Sequence, residues 1–200
     1  MNQFKSTILT ITLLFLITAC TSLPKKSEIV NVSHVSELSS WTARGKMLFV
    51  SGKEKESAYF YWQQNKNEFH FVLSTVLGID VMTLKYEHGI ATLKVDGEQH
   101  TSPDPQTLVA RFTNKQIPFD KLHLWLLGHA NKQDISSPTY NNKNEIQSFD
   151  YMPEGFNQTS WNVKYGPRKP LQQLNLPSAL TIKSSDSRIK LAISHWQLQG

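Results

Sequence analysis

The sequence predicts a mainly β protein, an antiparallel meander interrupted once by a short helical insertion and then resumed. Three observations carry this expectation. Apolar and polar residues alternate through most of the chain, giving each run one greasy face. The runs are separated by short gaps, with Gly89 and Asp96-Gly97 as turn punctuation, whereas parallel strands need crossovers of a dozen or more residues. Between Asp104 and Gly128 the apolar period changes from two to that of a helix.

Taken in order, Val32, Val35 and Leu38 are spaced for one short helix that Ser33 caps. Trp41 to Val50 alternates, with Ala43, Gly45, Met47 and Phe49 on one face. Ser57 to Gln64 puts Ala58, Phe60 and Trp62 on one side and Tyr59 and Tyr61 on the other. Phe69, Phe71 and Leu73 alternate next, followed by Ile79 to Tyr86 and Ile90 to Val95. Asp104 is placed to cap a helix with Pro105 in its first position, and Leu108 and Phe112 then share a face at i, i+4. Asp120 is placed to cap a second helix with Leu122, Trp125 and Leu126 as its stripe, Phe119 and Leu124 as a hydrophobic staple, and Gly128 as its stop. Asn131 to Asn144 reads as a polar loop. Strands resume at Ile146–Tyr151, Ser160–Tyr165, Ala179–Lys183 and Arg188–Leu198, the last with Ile189, Leu191 and Ile193 on one face and Trp196 breaking register.

The first nineteen residues have the parts of a secretory signal: Lys5 and the free amine, then an apolar run from Ile8 to about Ile17 interrupted by Thr10 and Thr12. That run is too short for a spanning helix, which needs about 20 residues. Ile17-Thr18-Ala19-Cys20 resembles the bacterial lipobox, which implies cleavage before Cys20, a diacylglyceryl group on its thiol and an acyl group on its new amine. Cys20 is the one Cys in the chain, and lipidation explains an otherwise unpaired exported thiol. Residues 20–31 then form an acylated N-terminus and polar tether with Pro24 and Lys25-Lys26, and residues 32–200 form a single domain with its helical insertion at about 104–128. The lipobox resemblance also implies outer-membrane sorting, because Thr21 rather than Asp follows the Cys. Removing residues 1–19 leaves 181 residues and deletes Lys5, so the formal net charge of +5 falls to +4.

No catalytic motif is present: no Gly-x-Ser-x-Gly, no phosphate-binding Gly loop and no His-Glu-x-x-His. The seven His are scattered and the carboxylates sit singly in turns and caps. An enzyme, a metal site and nucleic-acid binding are therefore not expected. What remains is greasy architecture, with ten Phe, six Tyr and five Trp. Such strands either close around a hydrophobic cavity with the helices as a lid, or Phe60, Trp62, Phe71 and Trp125 fill a solid core. Leu77 sits near a hairpin tip, where residues are normally polar. Either the loop folds back to bury it, or it touches a membrane or partner.

A series of motifs runs along the chain: the lipobox at Cys20, Thr42-Ala43-Arg44-Gly45, Phe60-Tyr61-Trp62-Gln63-Gln64, Leu77-Gly78, and Ile117-Pro118 leading to Trp125-Leu126-Leu127-Gly128. It continues with Trp161-Asn162-Val163-Lys164-Tyr165 and Arg188-Ile189-Lys190-Leu191 to Trp196. In their order and spacing these motifs resemble the LolB family, the outer-membrane lipoprotein receptors of Gram-negative bacteria. The resemblance implies an incomplete antiparallel β-barrel (a half-barrel) with a hydrophobic cavity and an inserted α-helical lid. It implies no enzymatic activity and no cofactor beyond the acyl groups on Cys20. The implied partners are the periplasmic carrier LolA, client lipoproteins and the inner leaflet of the outer membrane, met by a monomer whose domain faces the periplasm. The insertion loop is then Val76, Leu77 and Gly78. The family often has Pro where this chain has Val76, with apolar character kept. Met47, Phe49, Phe60, Trp62, Phe71, Leu73, Leu93, Leu108, Phe112, Leu122, Trp125 and Ile193 are the candidates to line the acyl-chain cavity. For Arg44 two roles stay open: a buried Arg bonding a lid carbonyl, or a surface charge. A lipocalin-like carrier of small hydrophobic molecules is the competing function, and a structural lipoprotein with a solid core is a third.

Overall fold

The computed structural model describes residues 31–113, 117–154 and 159–199; the leader, Cys20 and most of the tether lie outside the described residues. Six strands come first: β1 (Ser40–Ser51), β2 (Glu54–Asn65), β3 (Glu68–Ser74), β4 (Asp80–Glu87), β5 (Ile90–Val95) and β6 (Glu98–Ser102). Two helices follow, α1 (Pro105–Thr113) and α2 (Phe119–Leu126). The chain then forms β7 (Ile135–Tyr140), β8 (Ile146–Tyr151), β9 (Trp161–Tyr165), β10 (Arg168–Leu171), β11 (Leu174–Pro177), β12 (Ala179–Lys183) and β13 (Ser187–Gln199).

Eleven strands make one sheet in the order β6-β5-β4-β3-β2-β1-β13-β12-β9-β8-β7, and β10 with β11 makes a separate hairpin. Every pairing is antiparallel. The sheet does not close, since β6 and β7 are its two edges. The helical insertion is the connection between those edges. A chain that leaves β6 and enters β7 must cross the open side of the sheet, so the topology itself places α1 and α2 in the mouth of a half-barrel.

Alternation delivers the core. Trp41 and Ala43 of β1, Phe60 and Trp62 of β2, Leu84 of β4, Ala91 and Leu93 of β5, Val163 of β9 and Ile182 of β12 are all buried on one face. They join the buried residues of both helices in a single cluster. At Gly45 the β1–β13 register slips, opposite Ile193 on one side of the slip and with Arg44 opposite His195 on the other. This bulge is why Trp196 breaks the alternation yet faces inward: it pairs with Ala43, its ring lies 5.4 Å from that of Trp41, and its indole nitrogen donates to the Pro177 carbonyl at 3.0 Å.

Gly45 is dictated by this packing. A Cβ there collides with the Ala192 carbonyl oxygen and lies 2.8 Å from the Phe60 ring. Backbone cannot give way cheaply, so Gly45→Ala is expected to cost about 1–3 kcal/mol of stability. A thermal-unfolding midpoint equal to that of the parent protein would contradict this.

Several expectations need correction. The N-terminal helix reduces to one 3-10 turn at Val35–Glu37, held by the Glu37 carboxylate accepting from the Ser33 N–H at 2.9 Å. The loop expected at Asn131–Asn144 contains β7. That strand is exposed, contains Pro138, has Ser137 at positive φ and pairs irregularly with β8, which is how an edge strand hides from alternation rules.

Candidate functional site

The concave face of the half-barrel and the helices seated in it form the first part of the site. Asp104 caps α1 as its sequence predicts, accepting from the N–H groups of Gln106 at 3.0 Å and Thr107 at 3.1 Å. α2 starts differently. Pro118, not Asp120, holds the cap position, and Pro offers no side-chain acceptor. The acceptor comes from the other helix: the Gln106 side-chain oxygen takes the Phe119 N–H at 2.8 Å, while its amide nitrogen donates to the Ile117 carbonyl at 2.6 Å. One side chain thereby ties the two helices into a unit. At the far end Gly128, at φ 77°, closes a Schellman motif: its N–H donates to Trp125 O and that of His129 to Leu124 O.

Because Phe119 is the first residue of α2 rather than a staple residue, its ring drops into the sheet. It lies 5.2 Å from Trp62, 5.6 Å from Phe69 and 5.4 Å from Phe71. Trp125, six residues along, meets Phe149 at 5.4 Å and Tyr151 at 5.2 Å on the other half of the sheet. α2 thus bridges both walls, with each ring contact worth about 0.5–1.5 kcal/mol beyond simple burial.

Eleven of the twelve cavity candidates belong to this cluster or pack against it: Met47, Phe49, Phe60, Trp62, Phe71, Leu73, Leu93, Leu108, Leu122, Trp125 and Ile193. Phe112 does not. It is 37 % exposed and leans on the His100 ring at 4.4 Å, because the buried side of α1 is Leu108 and Val109. Sequence reasoning missed Phe119, Phe149, Trp161 and Leu180, although alternation in the last strands was signal enough for three of them. The concave face is occupied by the helices themselves. Two open hollows, of about 980 Å³ beside β7, β10 and β11 and about 890 Å³ on the outer side of β4 and β5, are lined by none of the candidates.

Arg44 takes the surface option: it is exposed, with its guanidinium 5.0 Å from the Tyr61 ring. The Arg that bonds a lid carbonyl is Arg168, which is half-buried. It donates to the carbonyls of Ile146 at 2.9 Å, Asn175 at 3.1 Å and, at 3.5 Å, Gly128, the residue that ends α2. A side chain at Gly128 would collide with this guanidinium. Glu145 lies 3.8 Å from it. Partial burial opposes ionisation of Glu145, yet hydrogen bonds from Asn141 and Asn175 and the Arg168 charge hold its carboxyl below the usual range.

Burial also holds the imidazoles of His123, on α2, and His129, just after it, below the ordinary His range. The fold therefore favours neutral imidazole, while the unfolded chain titrates near 6.5. Stability from these groups is full above about pH 6.5 and falls as the pH drops below it, where the unfolded chain gains protons that the fold resists. Thermal unfolding is expected at a lower temperature at about pH 5.5 than at 7.5, and His123→Gln should shrink that difference. A variant with the parent's pH dependence would remove His123 as a source.

The second part of the site is the β3–β4 hairpin tip. The Gly78 N–H donates to Thr75 O at 3.0 Å, the Thr75 N–H to Ile79 O at 2.9 Å, and the Ile79 N–H to the Thr75 hydroxyl at 3.2 Å. Gly78 takes φ 78°, and Val76 and Leu77 keep negative φ, which matches a type I turn followed by a left-handed residue. The loop thus satisfies its own backbone and leaves Val76 75 %, Leu77 86 % and Ile79 62 % exposed. It does not fold back. Val76 occupies the second position of the turn, the one type I turns favour for Pro.

Among the described residues no group of three or more His, Cys, Asp or Glu is placed to hold a metal ion, and no helix is long and apolar enough to cross a membrane. An open antiparallel sheet, an apolar concavity covered by a two-helix insertion and an apolar tip together define a lidded half-barrel. Its fold is similar to that of a LolA superfamily protein from Nitrosomonas europaea, with a TM-score of 0.57 over 82 % of this chain and 88 % of that one, at 6 % identity. The family model for outer membrane lipoprotein LolB matches residues 39–196. Outer-membrane lipoprotein LolB of Shewanella sediminis is 32 % identical, with 91 % of this chain and 82 % of that protein covered. That of Pseudoalteromonas translucida is 29 % identical, covering 82 % and 79 %. The chain belongs to the LolB family.

Proposed function

We propose that this protein is an outer-membrane lipoprotein that accepts other lipoproteins from a soluble LolA-type carrier and inserts them in the outer membrane. The observation that carries the reading is the pairing of a helix-covered apolar concavity with an exposed apolar tip on one continuous sheet. The names of the relatives, outer-membrane lipoprotein LolB, support the location and the class.

Acyl chains cannot cross the aqueous periplasm bare. At roughly 0.8 kcal/mol per CH₂, exposing one long chain costs on the order of 10 kcal/mol. Transfer from one apolar concavity to another avoids that cost. Chains enter as α1 and α2 lift from the sheet, and they replace the contacts of Phe119 and Trp125 with their own. Delivery then runs downhill from carrier to this protein to bilayer, with affinity rising at each step and no catalytic step required. Val76, Leu77 and Gly78 form the element that meets the bilayer. Acyl groups on Cys20 hold the domain beside its target, and a monomer suffices.

A reconstituted transfer assay tests this. The mature chain carrying Cys20→Ala should remain soluble and take a triacylated lipoprotein from the carrier. If it takes none while folded, the concavity does not serve cargo. A lipocalin-like carrier would bind free fatty acid but accept no lipoprotein from the carrier.

A further inference from the structure

The register fixes which residues point outward on the convex side. Lys55 of β2 faces Val50 of β1, Val50 faces Arg188 of β13, and Arg188 faces Lys183 of β12. Two residues along, Leu48 faces Lys190, Lys190 faces Thr181, and Thr181 faces Lys164 of β9. All five cations are exposed, and none forms an ion pair with a described residue. With strands about 4.8 Å apart, they share a patch roughly 20 Å across. The five strands carry two carboxylates, Glu54 and Glu56. Both lie on the opposite face, where Glu56 is opposite Phe49 and Glu54 opposite Ser51. Charge is thus sorted by face along a single segment, Glu54-Lys55-Glu56.

The patch lies at the end of the sheet that carries the tip. β3 runs from Glu68, opposite Asn65, to Ser74, opposite Tyr59, and the tip continues past Ser74 in the direction of Lys55. We propose that this convex patch docks on the anionic headgroups of a phospholipid leaflet and so sets which side of the tip lies against the bilayer. The proposal deepens the membrane-delivery reading and rests on it. A leaflet fits better than an acidic protein for two reasons. The residues between the cations are Leu48, Val50 and Thr181, all half-buried and none aromatic; Tyr59, an exposed aromatic on this face, lies in the next row beside Lys46, outside the patch rather than at its centre, where protein interfaces place their anchors. Long unpaired side chains without a pocket suit headgroups that rearrange around them, over a range of about one Debye length.

The test uses the mature chain with Cys20→Ala, no cargo, and vesicles of phosphatidylethanolamine alone or with about one-third phosphatidylglycerol. Phosphatidylglycerol should raise affinity at least about tenfold, and high salt should remove the gain. The triple variant Lys55→Gln, Lys183→Gln, Arg188→Gln should lose at least about tenfold in affinity for the anionic vesicles with its unfolding midpoint unchanged. The pair Glu54→Gln, Glu56→Gln should lose none. Equal binding to both vesicles, or a triple variant that binds like the parent, overturns the proposal. So does a triple variant that binds vesicles normally but accepts cargo slowly from the carrier, since the face would then dock protein. Because no cargo is present, failure here leaves lipoprotein delivery standing, whereas failed cargo transfer with intact anionic binding would count against delivery instead.

Discussion

Leu77→Glu should leave cargo capture intact and cut release into vesicles by about a hundredfold. Burying a Leu gains roughly 1.5–3 kcal/mol. Placing an acid in the hydrocarbon costs a further few kcal/mol, so a swing of about 3 kcal/mol or more acts on the membrane-touching step, and 1.4 kcal/mol is a factor of ten. The fold should not notice, because Leu77 is 86 % exposed and the turn is held by backbone groups and Thr75. The expected signature is a split: cargo leaves the carrier at the normal rate and then accumulates on the variant. Normal insertion by Leu77→Glu would remove the tip from the delivery step. Loss of capture as well would mean that the tip meets the carrier and not the bilayer.

How much of this was legible in the sequence depends on whether the signal is local. β5 and β12 match the expected bounds because both alternate cleanly between turns. β6 was not legible. Glu98-Gln99-His100-Thr101-Ser102 has no apolar residue, and it is a strand because Leu93 on β5 gives it a partner at His100. The α1 cap was readable because Asp104 acts two and three residues away. The α2 cap was not, because Gln106 reaches it from another helix. The same distinction separates Arg44 from Arg168. A motif draws attention to Arg44, while the carbonyls that Arg168 serves lie 7, 22 and 40 residues away in the chain. Exposure of Leu77 turned on whether its loop closes on itself, which is decided by hydrogen bonds of Thr75 that composition does not show.

The lid hypothesis makes its strongest demand at Phe119. Phe→Ala in a core costs about 3–5 kcal/mol, and here the lost contacts, to Trp62, Phe69 and Phe71, exist only while α2 is seated. If α2 is a lid, that loss falls on the closed form and spares the open form that binds acyl chains. Apparent affinity is the intrinsic affinity scaled by the open fraction. Phe119→Ala should therefore melt at a lower temperature and yet bind an apolar fluorescent probe or a triacylated cargo more tightly, by up to about a hundredfold for 3 kcal/mol, until the open form dominates. If α2 is instead a permanent part of the core, the same substitution lowers stability and leaves binding unchanged or weaker. Unfolding and probe titration on one sample separate the two outcomes, since only a lid makes the variant less stable and more avid together. Tighter binding would also predict slower release, because chains held in an already open concavity no longer have the closing helices to help expel them.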